Sequence, residues 1–174
     1  MVKDTSKQIE RIHRFGITCV INDNGLKRHF QNGYEYVDLG LPSGTRWATM
    51  NLGANTITDI GSKYFATEDN EPTTSCHIHY KIPSHMQFKE LLNNTITLET
   101  EINGNKGRKC INKTDDSKWI FLPYDAVYWL SVSATREYTV GEMYIISIKF
   151  SENYITNTAM VKYHHGLQIR GVLD

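Results

Sequence analysis

The strongest constraint on the fold of this 174-residue chain is the run at residues 36–54, in which two turn signals flank a tryptophan. The run opens with the strand-forming residues Tyr36, Val37 and Leu39, and Gly40 then ends the strand. Pro42 fixes φ and Gly44 is free to take positive φ, which together predict a tight turn. The residues that follow alternate along an extended segment, so Trp47 lies on one of its faces. We therefore expect two short strands around a corner, with the indole buried.

A helix is predicted to begin just after Ser84. Ser84 and Gln87, three residues apart, form a capping box, and Pro83 stands immediately before it. Phe88 and Leu91 then repeat at helical spacing, which gives the helix one apolar stripe to bury.

The second half of the chain is typical of a succession of strands. Strand-forming runs occur at residues 119–123, 127–131 and 144–150, and a turn-rich connector stands at residues 103–107. The 10 Tyr and 3 Trp favour a mixed fold with a large share of sheet, in which aromatic side chains fill the core or lie at a binding face.

These blocks, in this order, resemble the major paralogous domain, a module of C-type-lectin-like fold found in surface proteins of gut Bacteroidota and in their phages. The resemblance covers about residues 33–172, and the ordered set of blocks is more specific than any one of them. It implies an α+β domain of mainly antiparallel strands with one or two helices. It also implies a role in binding and in displaying a surface to other molecules, and no enzymatic activity. The residues that carry the structural motif are Leu39, Gly40, Pro42, Gly44, Trp47, Gly53, Pro83, Phe88, Leu91, Pro123, Trp129 and Arg170.

The N-terminal residues precede this resemblance and are predicted to include a short helix. Thr5 and Gln8 can form a second capping box, and Ile9, Ile12 and Phe15 fall roughly on one face. A helix this short is marginal alone, so we expect these three apolar residues to attach the chain to a partner.

Two Asn-Gly pairs, at residues 24–25 and 32–33, predict hairpin turns and hence a three-stranded meander over residues 17–39; the alternative is that both pairs lie in loops. The expected organisation is an N-terminal attachment and hairpin extension at residues 1–32, followed by the C-type-lectin-like domain at residues 33–174.

The charge balance and composition disfavour binding of the whole chain to nucleic acid or to membranes. Lys plus Arg and Asp plus Glu both total 19, so the net charge is +0 and nothing draws the whole chain to nucleic acid or to an anionic membrane. No apolar run is long enough for export or for spanning a membrane. Three widely spaced cysteines favour free thiols in a reducing compartment. The surface proteins of the resembled family would be expected to carry an export signal, so the resemblance together with these features implies a virion protein assembled in the host cytoplasm.

Sites for metals or for catalysis are weakly indicated. Cys76, His77 and His79 are close in sequence, but no second cluster completes a ligand set, so a polar surface is the preferred interpretation. Glu71 begins a near miss to the calcium-binding triplet of true C-type lectins. The common hydrolase, nucleotide-binding and metalloprotease motifs are missing, and Cys110 is expected to be a buried structural thiol. We expect no metal and no cofactor.

An aromatic and polar run at residues 138–163 is the predicted ligand face, because Tyr and Asn combine rigid contact area with adaptable hydrogen bonding. Its members are Tyr138, Tyr144, Asn153, Tyr154, Asn157 and Tyr163. The alternative, slightly preferred from the residues alone, is that these tyrosines are ordinary strand residues of the core.

The sequence therefore leads to one main functional hypothesis and one alternative. The main hypothesis is a structural or decoration protein on the head or tail of a tailed phage, bound to other virion proteins through its N-terminal region and displaying a lectin-like surface to a host glycan or protein. The alternative is a carbohydrate-binding adhesion domain of a bacterial surface protein. Self-association, and phage or bacterial origin, are left open.

Overall fold

The computed structural model of the chain describes residues 10–14, 17–21, 27–31, 34–65, 81–131, 138–139, 142–150, 155–162 and 166–173. Within these residues the fold is α+β: three small sheets of mainly antiparallel strands and one helix. The α+β class expected from the sequence is thereby confirmed.

The first sheet has six strands and joins the two ends of the chain. Its strands, in spatial order, are β1 (Glu10–Arg14), β2 (Ile17–Ile21), β3 (Lys27–Gln31), β4 (Tyr34–Asp38), β5 (Arg46–Ala48) and β13 (Val172–Leu173). The pairing of β2, β3 and β4 confirms the predicted meander. Because β3 pairs with β4, the sheet runs without interruption across the predicted boundary at residue 32.

The predicted N-terminal helix is wrong over residues 10–14. These residues form β1, which pairs along its whole length with β2, and Ile12 stands opposite Cys19. A short isolated helix is marginal in water, whereas pairing with β2 satisfies the backbone groups along one edge of β1. Ile9 and Phe15 lie outside the described residues.

The remaining strands form two further sheets. One contains β6 (Ile96–Ile102), β7 (Asn105–Ile111) and β8 (Trp119–Pro123), and the turn between β6 and β7 has positive φ at both Asn103 and Gly104, as a two-residue hairpin requires. The other contains β9 (Val127–Trp129), β10 (Tyr138–Thr139), β11 (Glu142–Phe150) and β12 (Ile155–Lys162), with β9, β10 and β12 all paired to β11.

The helix predicted after Ser84 is confirmed as α1 (His85–Asn94). The Ser84 hydroxyl accepts a hydrogen bond from the Gln87 amide, and the Gln87 side chain accepts one from the Ser84 amide, which completes the capping box. Phe88 and Leu91 are fully buried, whereas Met86 on the opposite side is 67% exposed. The apolar stripe read from the sequence is therefore the face that docks onto the sheets.

The main core brings residues from distant segments into contact. Phe88 is at its centre, with the ring of Trp47 4.9 Å away, that of Tyr128 5.8 Å away and that of Phe150 6.1 Å away, measured between centroids. A smaller cluster of Leu52, Trp129, Leu167 and Ile169 lies beside it. Trp129 donates its indole N–H to the carbonyl of Tyr64 at 2.9 Å, which ties this cluster to the loop before α1.

The C-terminal segment, residues 166–173, connects these parts. Gln168 exchanges backbone hydrogen bonds with Val127 and Trp129, and its side chain accepts a further bond from the Val127 amide. Val172 pairs with both Trp47 in β5 and Lys81 before the helix. The last described residues thus hold the first sheet, the helix entry and β9 together.

Candidate functional site

The candidate site is an open groove of about 500 Å³ beside the main core. It lies between the loop at residues 53–62, here called the groove loop, and two other positions: the first residue of β7 and the turn before β9. The lining residues are Gly53, Thr58, Asp59, Ile60, Gly61, Ser62, Asn105 and Asp125. This volume falls within the range of small-ligand sites, and the lining is unusually polar for one.

Hydrogen bonds join the groove loop to Asn51 and Leu52, near the end of the run at residues 36–54. The Ser62 amide donates to the Leu52 carbonyl at 2.9 Å, and the Asn51 side-chain amide donates to the Ile60 carbonyl at 3.0 Å. Gly61 has φ +75°, and a Cβ there would lie 2.5 Å from the Leu52 carbonyl oxygen. A side chain at position 61 would therefore clash with the backbone of Leu52, so glycine is required for the loop to lie this close to it.

One of the two carboxylates in the groove serves the loop itself. Asp59 accepts hydrogen bonds from the Thr56 hydroxyl at 2.7 Å and from the backbone amides of Asn55 and Thr56 at 3.1 and 3.0 Å. The Thr56 hydroxyl, followed by the Asn55 amide, lowers the pKa of Asp59. The side chain is therefore a charged cap of its own loop.

Asp125 is the more available carboxylate, because it is exposed and lies on the opposite wall, in the turn between β8 and β9. Ser62 and Asn105 add a hydroxyl and a carboxamide, and Ile60 is 41% exposed beside them. The lining set contains two acidic side chains and no basic one. This chemistry suits a neutral or cationic ligand rich in hydroxyl or amine donors and disfavours an anion.

Most of the motif residues named in the sequence analysis are buried side chains or turn glycines. Leu39, Trp47, Phe88, Leu91, Trp129, Pro83 and Pro123 are buried, Pro42 is exposed in its turn, and Gly40, Gly44 and Gly53 all have positive φ.

Arg170 is the most unusual of the motif residues, since its side chain is fully buried. It donates from Nη1 to the Ala48 carbonyl at 3.0 Å and from Nη2 to the Phe121 carbonyl at 2.6 Å, which joins β5 to β8. Burial above all lowers its pKa, with Tyr128 acting in the opposite direction. A cation in this position donates charge-assisted hydrogen bonds to a carbonyl at the end of β5 and to one in the middle of β8.

The predicted ligand face is described only in part. Tyr138, Tyr144 and Asn157 belong to strands β10, β11 and β12 of one sheet, with Tyr144 opposite Lys162. Asn153, Tyr154 and Tyr163 lie outside the described residues, as do Glu71, Cys76, His77 and His79. The ligand face, and the expectation that the Cys/His cluster is a polar surface and not a metal site, therefore stay predictions.

Metal and thiol chemistry can be examined where side chains are described. In that part of the chain, no three His, Cys, Asp or Glu side chains lie close enough to hold a metal ion together. Cys110 is free and fully buried, and burial raises the pKa of its thiol to about 12. The expectation that Cys110 is a buried thiol is confirmed, and at neutral pH it is protonated.

The sequence analysis missed the groove. Its residues come from the groove loop, the first residue of β7 and the turn before β9, and Gly53 is the one of them that the sequence motif included. The one local signal was the Thr56–Asp59 spacing, which is that of a side chain capping its own turn.

Comparison of the chain with protein-family models, with curated proteins and with solved structures finds no match. Among the described residues, no helix combines the length and the apolar character that crossing a bilayer requires.

Proposed function

We propose that this chain is a non-enzymatic structural or decoration protein of a tailed-phage virion, with a C-type-lectin-like domain as its display scaffold. In this proposal residues 1–32 attach the protein to the particle, and the remaining domain presents a surface to a host glycan or protein. The resemblance to the major paralogous domain is what supports this fold family and a phage of gut bacteria as the source.

The observation that carries the proposal is the convergence of the resemblance blocks on one core. One buried cluster contains Trp47 from the run at residues 36–54, Phe88 from the helix, Leu122 and Tyr128 from the later strands, and Val172 from the C-terminal segment. Blocks that share a core define a fold and leave the connecting loops free to vary. A rigid core with variable loops is typical of binding scaffolds, in which the loops carry the binding residues.

The first sheet supports the proposed role of the N-terminal region. Strands β1 to β3 continue the sheet beyond β4, and β1 is its outermost strand. An outermost strand offers backbone donors and acceptors to a neighbouring chain, so addition of a strand from another virion protein is a natural means of attachment.

The test is the protein content of purified particles from a phage that encodes this chain. We expect mass spectrometry to detect the full-length protein in particles and to lose it when residues 1–32 are deleted. An Asp125→Ala variant, changed only in the groove, should still be incorporated. Circular dichroism must show that the truncated protein folds. Recovery of the full-length protein only in the soluble host fraction would contradict the proposal.

The second candidate function, a carbohydrate-binding adhesion domain, is favoured by the groove. The Asp125 carboxylate, the Asn105 carboxamide and the Ser62 hydroxyl are groups that pair with sugar hydroxyls, and they lie on the walls of one cavity. Since the lining is acidic, neutral or amino sugars are the class to test.

A glycan array with the purified protein tests this candidate. Binding to neutral or amino sugars that is lost in Asp125→Ala would support it, with Asp116→Ala, which removes an exposed carboxylate outside the groove lining, as the matched control. An array with no binding, or binding unaffected by Asp125→Ala, would count against a sugar site in the groove.

A further inference from the structure

The turn between β6 and β7 is an exposed Asn-Gly pair. Asn103 and Gly104 have φ of 51° and 77°, and they connect Ile102 to Asn105, the two residues that close the hairpin. An Asn-Gly pair suits this turn because both residues tolerate positive φ. The same pair is also chemically labile, since asparagine is a thermally labile residue and a following glycine has no side chain to shield its backbone nitrogen.

The two groups that can react with each other in this pair are the Asn103 carboxamide and the Gly104 backbone amide. Within the described part of the chain, neither of them forms a hydrogen bond. The turn does use the backbone carbonyl of Asn103, which accepts from the Asn105 side-chain amide at 3.3 Å. A Cβ built on Gly104 would meet no atom within 4 Å, so the space beside the turn is open.

Other asparagines in the described ranges are in a different situation. Asn112 is 7% exposed, and its Oδ1 accepts hydrogen bonds from Thr114 and Asp115. Asn94 donates its side-chain amide to the Glu90 carbonyl at 3.0 Å. Both are followed by a residue that carries a side chain, whereas Asn103 is the one described asparagine that is followed by glycine.

We propose that Asn103 is a site of spontaneous modification, at which the carboxamide is lost and aspartate or isoaspartate is formed. The Gly104 nitrogen gives up its proton and bonds to the side-chain carbonyl carbon of Asn103. The C–NH₂ bond breaks, and the NH₂ group takes up a proton and leaves as ammonia. A water molecule then opens the resulting cyclic imide at one of its two C–N bonds, so water is the co-reactant and no electrons are exchanged.

Isoaspartate changes the backbone of the turn as well as its charge. The chain then runs through the former side chain of Asn103, which adds one carbon atom to a turn whose register depends on its length. The carbonyl that accepts from Asn105 becomes part of a free carboxylate. Since Asn105 lines the groove, the modification displaces a residue of the groove wall and adds a negative charge beside it.

Peptide mapping of the folded, full-length protein held in a mildly alkaline buffer is the direct test. We expect Asn103 to exchange NH₂ for OH several times faster than Asn94 and Asn112, with fragment-ion mass spectrometry assigning the position, and we expect isoaspartyl methyltransferase to label it. The Asn-Gly pairs at residues 24–25 and 32–33 lie outside the described residues and are scored separately. If Asn103 stays intact in the folded protein, or converts only after denaturation in urea, the proposal is wrong.

An Asn103→Gly variant is the matched control, because glycine keeps positive φ available at both turn positions and removes the carboxamide. On ageing, the parent protein should show faster amide exchange at residues 102–107, while the variant should exchange as it did when fresh. Equal loosening of this hairpin in both proteins would show that another site is the cause and would contradict the effect assigned to Asn103.

Discussion

Replacing Phe88 by alanine tests the arrangement on which the fold depends. Phe88 is fully buried on the inner face of α1, and its ring contacts those of Trp47, Tyr128 and Phe150. These residues come from different segments of the chain, so Phe88→Ala removes a side chain that contacts all three rings.

The expected loss can be estimated from this environment. Truncating a buried phenylalanine costs about 3–5 kcal/mol, and a site surrounded by three rigid rings cannot collapse to fill the cavity, so we expect the upper half of that range. A domain of this size has a free energy of unfolding of about 5–15 kcal/mol. The variant should remain folded with about 8–20 °C lost from its melting temperature.

Urea unfolding followed by both tryptophan fluorescence and circular dichroism measures the effect. Met86→Ala is the control, because Met86 is on the same helix but 67% exposed, and it should change the free energy of unfolding by no more than about 0.5 kcal/mol. A loss below about 1 kcal/mol for Phe88→Ala would refute the central position assigned to this side chain.

Three further predictions follow from single contacts, and urea denaturation measures each. Ser84→Ala should lower the free energy of unfolding by about 1 kcal/mol because the capping box is lost, whereas Ser84→Thr should retain most of it; equal losses would contradict the cap. Gly107→Ala should cost about 1–3 kcal/mol, since a Cβ would lie 2.6 Å from the Leu122 carbonyl oxygen; a neutral result would contradict that packing. Burial raises the pKa of Cys110 from 9.0 to about 12, so the protonated thiol stabilises the fold below pH 9 and this contribution is lost as the pH rises toward 12. Stability should therefore fall between pH 9 and pH 10, and less steeply in Cys110→Val; parallel slopes would show that the thiol is not the cause.

The helix, the meander of β2 to β4 and the turn-rich connector at residues 103–107 could be predicted because their signals are local. Ser84 and Gln87 are one turn apart, and the structure narrows the connector to a two-residue turn at Asn103-Gly104, which holds both positive φ values. The N-terminal segment shows where this reasoning fails. Its capping-box pattern and apolar spacing favoured a helix, but Ile12 lies in a strand because β2 is available as a partner. Local propensity is a weak preference, and pairing outweighs it.

By itself, the sequence determined the helix that begins after Ser84, the meander of β2 to β4, the strands β8 and β9, the corner at residues 42–44, and that Trp47 and Phe88 face inward. Only the tertiary structure decided that Val172 pairs with Trp47, that Arg170 bonds to carbonyls of two separate strands, and that Asp125 faces the groove loop. The physical reason is that alternation and capping act over a few residues, whereas burial of a charge and the shape of a groove depend on which surfaces meet when distant segments pack together.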